Sequence, residues 1–302
     1  ISGIVRSEVI DALIKQLRTQ YIFPEVASEV AAMFQQRQDR GEYDELSEGR
    51  LFAETLTAHM REISKDPHLL VFYEAQVADT QGGETHRRDI GAICNYGFEK
   101  VERMAGNIGY LCINSFFSPT IAFRALITAL DFIAHTNALI IDVRKASGND
   151  LAMLKFFASY FFPPDPVHLN DIYWRRNDST QHYWTLPYIP GQRYASKPLS
   201  ILTSHATSAT AEAFAYALQS QGRATIIGEV TAGEANPLER FHLAAHFACL
   251  MPVGHITSPM TGKNWEGVGV QPDVEVAQEH ALKTAYTLAL KYVLESNGHV
   301  HD

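Results

Sequence analysis

Four short apolar runs constrain this chain most: Ile108–Ile113, Ala138–Val143, Leu199–Thr203 and Ala224–Glu229. Helical patterns over 120–135, 151–162 and 208–221, or a long loop, separate each run from the next. A strand that is apolar on both sides has no face to give to water, so such strands belong in a largely parallel sheet covered by helices on both faces. The fold class is therefore α/β. Residues 163–198, rich in Pro, Tyr, Trp and polar residues, are too long for an ordinary connection and read as a functional or substrate-facing excursion. A closing helix is predicted over 279–296, with Ala281, Leu282, Ala285, Leu288, Ala289, Tyr292 and Val293 on one side and Asn297-Gly298 as its stop.

Upstream the pattern is helical. Ile4, Ile10, Leu13, Ile14, Leu17 and Tyr21 share one helical face over 4–21, and Pro24 disfavours helix at the residue before it. A second helix over 47–64 has Ser47 as its cap and Leu51, Leu56, Met60 and Ile63 among its apolar positions. An acidic loop from Asp39 to Glu48 links the two. This divides the chain into a helical subdomain over 1–75, a linker or hairpin over 76–105, and an α/β core over 106–302.

The 302 residues suffice for one large domain or two modest ones. A formal charge of −9 argues against a nucleic-acid partner, since phosphate contacts need clustered cations, and Arg87-Arg88 and Arg175-Arg176 read as solvated pairs. No apolar run approaches the ~20 residues that span a bilayer. The start, Ile1-Ser2-Gly3, shows neither a basic n-region nor an apolar h-region. The compartment is periplasmic or secreted if a leader has been removed, and otherwise cytoplasmic. Cys94, Cys112 and Cys249 lack metal-ligand spacing and cannot all pair. His242 and His246 stand four apart, but no Glu follows His242 as a zinc helix requires, and 241–252 reads as a strand. No metal or other cofactor is expected.

The segment Leu202-Thr203-Ser204-His205-Ala206-Thr207-Ser208-Ala209-Thr210-Ala211-Glu212 ends a strand and opens a helix with small residues in its first turn. An acyl-transfer enzyme can expose a nucleophile at such a junction, where the free amides of the first turn stabilise an oxyanion. An ordinary helix capped by Thr207 or Ser208 fits the same local pattern.

The segment resembles the nucleophile region of the tail-specific (C-terminal processing) proteases and interphotoreceptor retinoid-binding protein modules, which reads roughly L-T-S-x-x-T-x-S-A-A-E-E-F-A in the protease members. Leu202, Thr203, Ser204, Thr207, Ala211, Glu212, Phe214 and Ala215 match it without a gap, and the family's serine falls on Ala209. Gly222–Gly233 is similar to the family's G-R-A-x-x-x-G-E-x-T-A-G segment, and Glu266–Asp273 to its E-G-x-G-V-x-P-D ending. Ala138–Arg144 resembles the apolar-D-x-R strand that leads to a Gly-Gly turn, here Ser147-Gly148. The resemblance implies a ClpP/crotonase-like spiral core and a peptide or unfolded-protein substrate. Residues 70–106 are too few for the PDZ domain that many members carry. Glu234 stands where members with a Ser–Lys dyad have the lysine, so the tricorn-core-like branch, with a His and a Glu, is the implied one. In that branch His68, in an Asp-Pro-His-Leu segment, is the implied general base and Glu266 the orienting acid. The implied oxyanion donors are the amides of Gly148 and of Ala209 or Thr210.

The alanine has three readings: a substitution introduced into an active enzyme, a natural loss of chemistry as in the retinoid-binding modules, or a nucleophile displaced to Ser208 or Thr210. His68 and Glu266 favour the first, and the departures at Ala206 and Ala213 favour the second. One helical step turns a side chain by ~100°, which argues against the third. The alternative function is a non-catalytic module for a retinoid- or fatty-acid-like ligand, for which the aromatic residues of 156–194 would line a cleft. Core packing beneath a covering loop accounts for them equally. Tyr173, Trp184 and Trp265 are the expected substrate contacts.

Overall fold

The computed structural model describes residues 1–74, 90–148 and 150–298. The Arg87-Arg88 pair and residues 76–89 of the expected linker lie outside them. The chain gathers into two units. One holds the described residues up to Glu74 with Ile172–Gln181 and Asn236–His255, and the other holds the remainder.

The first unit begins with helix Gly3–Gln20, where Ser2 Oγ accepts the Val5 amide and Val9, Ile10, Leu13, Ile14 and Leu17 turn inward at helical spacing. A helix that the sequence reading passed over, Pro24–Asp39, starts on its own proline and buries Ala27, Val30, Ala31 and Phe34. Helix Gly49–Ser64 follows and ends at Lys65 in the left-handed conformation. The three pack around Tyr21, Phe34, Phe52 and Leu56, each such buried side chain contributing about 1.5–3 kcal/mol. Strand Leu70–Tyr73 then runs antiparallel to Phe247–Pro252, with Leu70 opposite Leu250. The unit therefore exceeds the expected 1–75, because a hairpin from far along the chain completes its sheet. That hairpin also corrects the single strand expected over 241–252: strands Leu238–His242 and Phe247–Pro252 pair across a turn.

The second unit is built on a six-stranded sheet. Its order is Val274–Glu275, Thr225–Gly228, Leu199–Thr203, Ala138–Asp142, Ile108–Ile113 and Phe98–Met104. All neighbours are parallel except the Phe98–Met104 edge, which is antiparallel. Phe98–Met104 thus belongs to the core sheet, not to a linker ending at 105. The α/β expectation holds. The Ala138–Asp142 strand is buried at every position, as its uniform apolarity requires. Helix Gln278–Gly298 lays Ala281, Ala285 and Ala289 on Ile108, Ile140, Leu202 and Ile227. Among the described residues no helix is long and apolar enough to cross a membrane.

The aromatic residues of 156–194 divide between core and surface. Phe157 stacks on Phe214 at 4.5 Å and 7°, flanked by Phe116 and Phe161. Tyr160, Phe162 and Tyr194 are also buried, whereas Trp184 and Tyr188 are exposed.

Candidate active site

Strand Leu199–Thr203 passes into helix Thr210–Ser220 through a turn fixed by hydroxyls. Thr207 Oγ1 donates to the Val143 carbonyl at 2.9 Å and accepts the Ser204 amide at 3.0 Å. Ser204 Oγ donates to the Arg144 carbonyl, and the Ser208 amide to the Ala146 carbonyl at 3.0 Å. The Thr and Ser positions of the motif thus satisfy backbone groups that burial would otherwise leave unpaired.

Ala209, immediately before the helix, has φ +51° and ψ −120°. A non-glycine residue pays on the order of 1–3 kcal/mol for such a conformation, and it persists only where the surroundings fix it. Glu212 does the fixing. Its side chain is 0% exposed and its Oε2 accepts the amides of Ala209 at 2.9 Å and Glu234 at 2.8 Å. Oε1 accepts the Thr231 hydroxyl at 2.5 Å and the Gly233 amide at 2.7 Å. Burial pushes the Glu212 carboxyl above its ordinary value, against the downward pull of these four donors. The Ala209 amide, expected as one of two oxyanion candidates, is thereby engaged. Thr210 retains a first-turn amide that has no acceptor within its helix. The Thr210 side chain is buried, while Ser208 and Ala209 are half-buried.

Thr231 carries the network onward, its Oγ1 accepting the Val270 amide at 2.7 Å. The Gly267 amide donates to the Gly233 carbonyl at 2.9 Å. A side chain at Gly269 would run into the Thr231 carbonyl, which explains glycine there. Glu266 is half-buried and its Oε2 accepts the Ala235 amide at 2.8 Å. Ala209, flanked in the chain by Ser208 and Thr210, is thus tied through Glu212 to Glu234, and Glu266 is bonded to the next residue, Ala235. Gly148 sits on a short strand beside Phe116, and a Cβ there would lie 2.7 Å from Phe116 Cβ. At the root of that loop, Asp142 binds Arg144 Nε at 2.9 Å and Tyr110 Oη at 2.7 Å. These bonds outweigh the burial that would raise its carboxyl and hold it below the usual range.

His68 belongs to the first unit. Its amide donates to Asp66 Oδ1 at 2.8 Å, and its Nδ1 lies 3.5 Å from the same oxygen. Tyr21 Oη donates to Asp66 Oδ2 at 2.9 Å, and Arg61 Nε to the Leu69 carbonyl at 2.9 Å. Burial works to raise the Asp66 carboxyl, but the bonds from His68 and Tyr21 bring it below its ordinary value. Asp66 was not singled out in the sequence, although its place two residues before His68 was the available signal. Glu212 was visible only as a motif letter, three residues after Ala209 in the spacing of a capping box.

The expected substrate contacts divide. Trp265 is 1% exposed and packs on Tyr216 at 4.8 Å, so it is a core side chain and not a surface for substrate. Tyr173 is half-buried with its hydroxyl on Asp178 at 2.9 Å. Trp184 is exposed and stacks on His168. Among the described residues, one set of three metal-ligand side chains converges: His168, Asp171 and His182. His242 and His246 are not in it.

Residues 107–276 match peptidase family S41, and residues 5–105 match the N-terminal domain of peptidase S41 in eukaryotic IRBP. Among solved structures the chain is similar to a candidate peptidase from Parabacteroides merdae, with 16% identity and a TM-score of 0.68 over 95% of this chain and 97% of that one. A lipoprotein from Streptococcus agalactiae is similar at 15% identity and TM-score 0.64, over 95% and 97% of the two chains. A photosystem II D1 C-terminal processing protease is similar at 13% and 0.61, over 92% and 94%. At these identities the likeness is one of fold.

Proposed function

The chain belongs to peptidase family S41, and on that premise we propose that it is a serine-peptidase scaffold with Ala209 where the attacking hydroxyl belongs, so that it holds peptides without cleaving them. The observation that carries this reading is the backbone of Ala209. An ordinary helix needs no positive φ before its first residue and gains nothing from one at alanine. A strand–turn–helix that must lift one side chain clear of the backbone does need it.

The rest of the chemistry follows from the family. A serine hydroxyl at 209 needs an imidazole to take its proton, and His68 is that base. With Asp66 beside Nδ1, the neutral ring keeps its proton there and leaves Nε2 to act. The amides of Thr210 and Gly148 receive the developing oxyanion, Thr210 because the Ala209 amide already serves Glu212. Glu266 is the second acid, its carboxylate oriented by the Ala235 amide. The substrate is a peptide or unfolded protein.

A non-catalytic module for a retinoid- or fatty-acid-like ligand is the second reading. The match of residues 5–105 favours it. The aromatic segment gives it partial support, since Phe157, Tyr160, Phe161 and Tyr194 are core while Trp184 and Tyr188 are exposed.

The proposal is tested by treating Ala209→Ser with a fluorophosphonate probe and mapping the adduct by mass spectrometry. Labelling at position 209 that depends on the native fold is expected. A folded variant that stays unlabelled there, or is labelled at Ser208, contradicts it.

A further inference from the structure

We propose that His168, Asp171 and His182 form a binding site for a divalent transition-metal ion of the zinc and copper class, on the hairpin of strands His168–Trp174 and Ser179–Trp184. Residues three apart in a regular strand face opposite sides. Here Leu169 and Asn170 are buried in succession between half-buried His168 and Asp171. The alternation slips by one, as at a bulge, and both ligands come to one face. His182 arrives from the neighbouring strand.

Both imidazoles converge on a single oxygen. His168 Nε2 lies 2.6 Å, and His182 Nδ1 2.5 Å, from Asp171 Oδ1, with all ligand atoms within 4.8 Å of one another. No Lys or Arg among the described residues pairs with Asp171. Among the described residues two imidazole nitrogens are therefore all that face its charge. To bind an ion each ring presents the nitrogen facing Asp171 as a lone pair and carries its single proton on the opposite nitrogen. Ligands about 2.0–2.1 Å from zinc stand about 3.3 Å apart in a tetrahedron, an opening of about 0.7 Å from the present contacts. Two nitrogens and one carboxylate suit zinc, copper or nickel, whereas calcium and magnesium require oxygen donors. Three protein ligands leave a position for water.

The site is partly pre-formed and open to an ion. Trp184 stacks on the His168 ring at 4.3 Å and 9°, and the His168 carbonyl accepts Gln221 Nε2 at 2.7 Å. The His182 side chain is 58% exposed. A bound ion ties the two arms of the hairpin together.

The full chain, stripped with EDTA and dialysed, is titrated with zinc chloride by calorimetry and with copper(II) chloride by tryptophan fluorescence. One zinc per chain is expected, with copper quenching that is lost in Trp184→Phe. His182→Ala and the isosteric Asp171→Asn should each weaken zinc binding more than about tenfold. His205→Ala, an exposed histidine away from the hairpin, should leave it unchanged. Absence of saturable one-to-one binding by the unaltered chain overturns the proposal. So does binding that survives both hairpin substitutions, which would place the ions on scattered surface histidines.

Discussion

The buried carboxylate of Glu212 accepts the Ala209 amide through one oxygen and the Thr231 hydroxyl through the other. One side chain thereby sets the turn before the helix and the Thr231–Glu234 segment, onto which the Glu266–Gly269 loop is also bonded. The most specific motifs of the sequence meet in this assembly.

Glu212→Gln tests the assembly. An amide supplies one acceptor oxygen for four donors and points its own N–H groups at the rest. Leaving buried donors unpaired should lower stability by at least ~2 kcal/mol, read from urea denaturation. A variant within a few tenths of wild type would mean that the carboxylate is not the tie.

The strain at Ala209 makes an ordering prediction. At an ordinary N-cap, alanine and valine are about equally poor. At φ +51° glycine relieves strain and a β-branched side chain adds to it. Stability should fall in the order Gly, Ala, Val, with Ala209→Val at least ~2 kcal/mol below Ala209→Gly. Near-equality of Ala and Val would remove the strained turn from the account.

Asp142 sets an acid limb of stability. Its folded-state carboxyl lies below the ordinary 3.8, so the unfolded chain binds more protons between the two values. The contribution is complete above 3.8 and disappears as pH falls through the folded value. Asp142→Asn should flatten that limb in pH-dependent melts and cost about 3–5 kcal/mol at neutral pH, because the Arg144 guanidinium loses its partner.

The proposed function gives Asp66 and Glu266 separable roles. In an Ala209→Ser background, Asp66→Asn should lower kcat by about 10–100-fold, since an amide beside Nδ1 favours the wrong tautomer. Glu266→Gln keeps an oxygen for the Ala235 amide and should cost less. The reverse ranking in peptide hydrolysis assays would return the orienting role to Glu266.

What was legible in the sequence follows physical lines. The parallel strands were readable because Ala138–Asp142 and its neighbours are apolar on both faces. The Pro24–Asp39 helix was not, since two of its four inward residues are alanines, which add little to a hydrophobic pattern. Nor was the composition of the first unit, which depends on Leu70 meeting Leu250 across most of the chain. Ala209 stood out as a motif position, but its backbone geometry has no signature in an alanine. Trp265 was an expected substrate contact, and its burial against Tyr216 places it in the core. Asp66 has no signature of its own in the sequence, since a carboxylate two residues before a histidine gains a role only where the turn brings its oxygen beside the imidazole.

In the proposed function position 209 is a nucleophile site without its hydroxyl, and His68 is the base. Steady-state cleavage of fluorogenic peptides and unfolded casein tests it most directly, with the unaltered chain, Ala209→Ser, and Ala209→Ser combined with His68→Ala. No cleavage by the first, turnover by the second, and a loss of at least ~100-fold in the third are expected. A folded Ala209→Ser protein without turnover, or with turnover indifferent to His68, would contradict it.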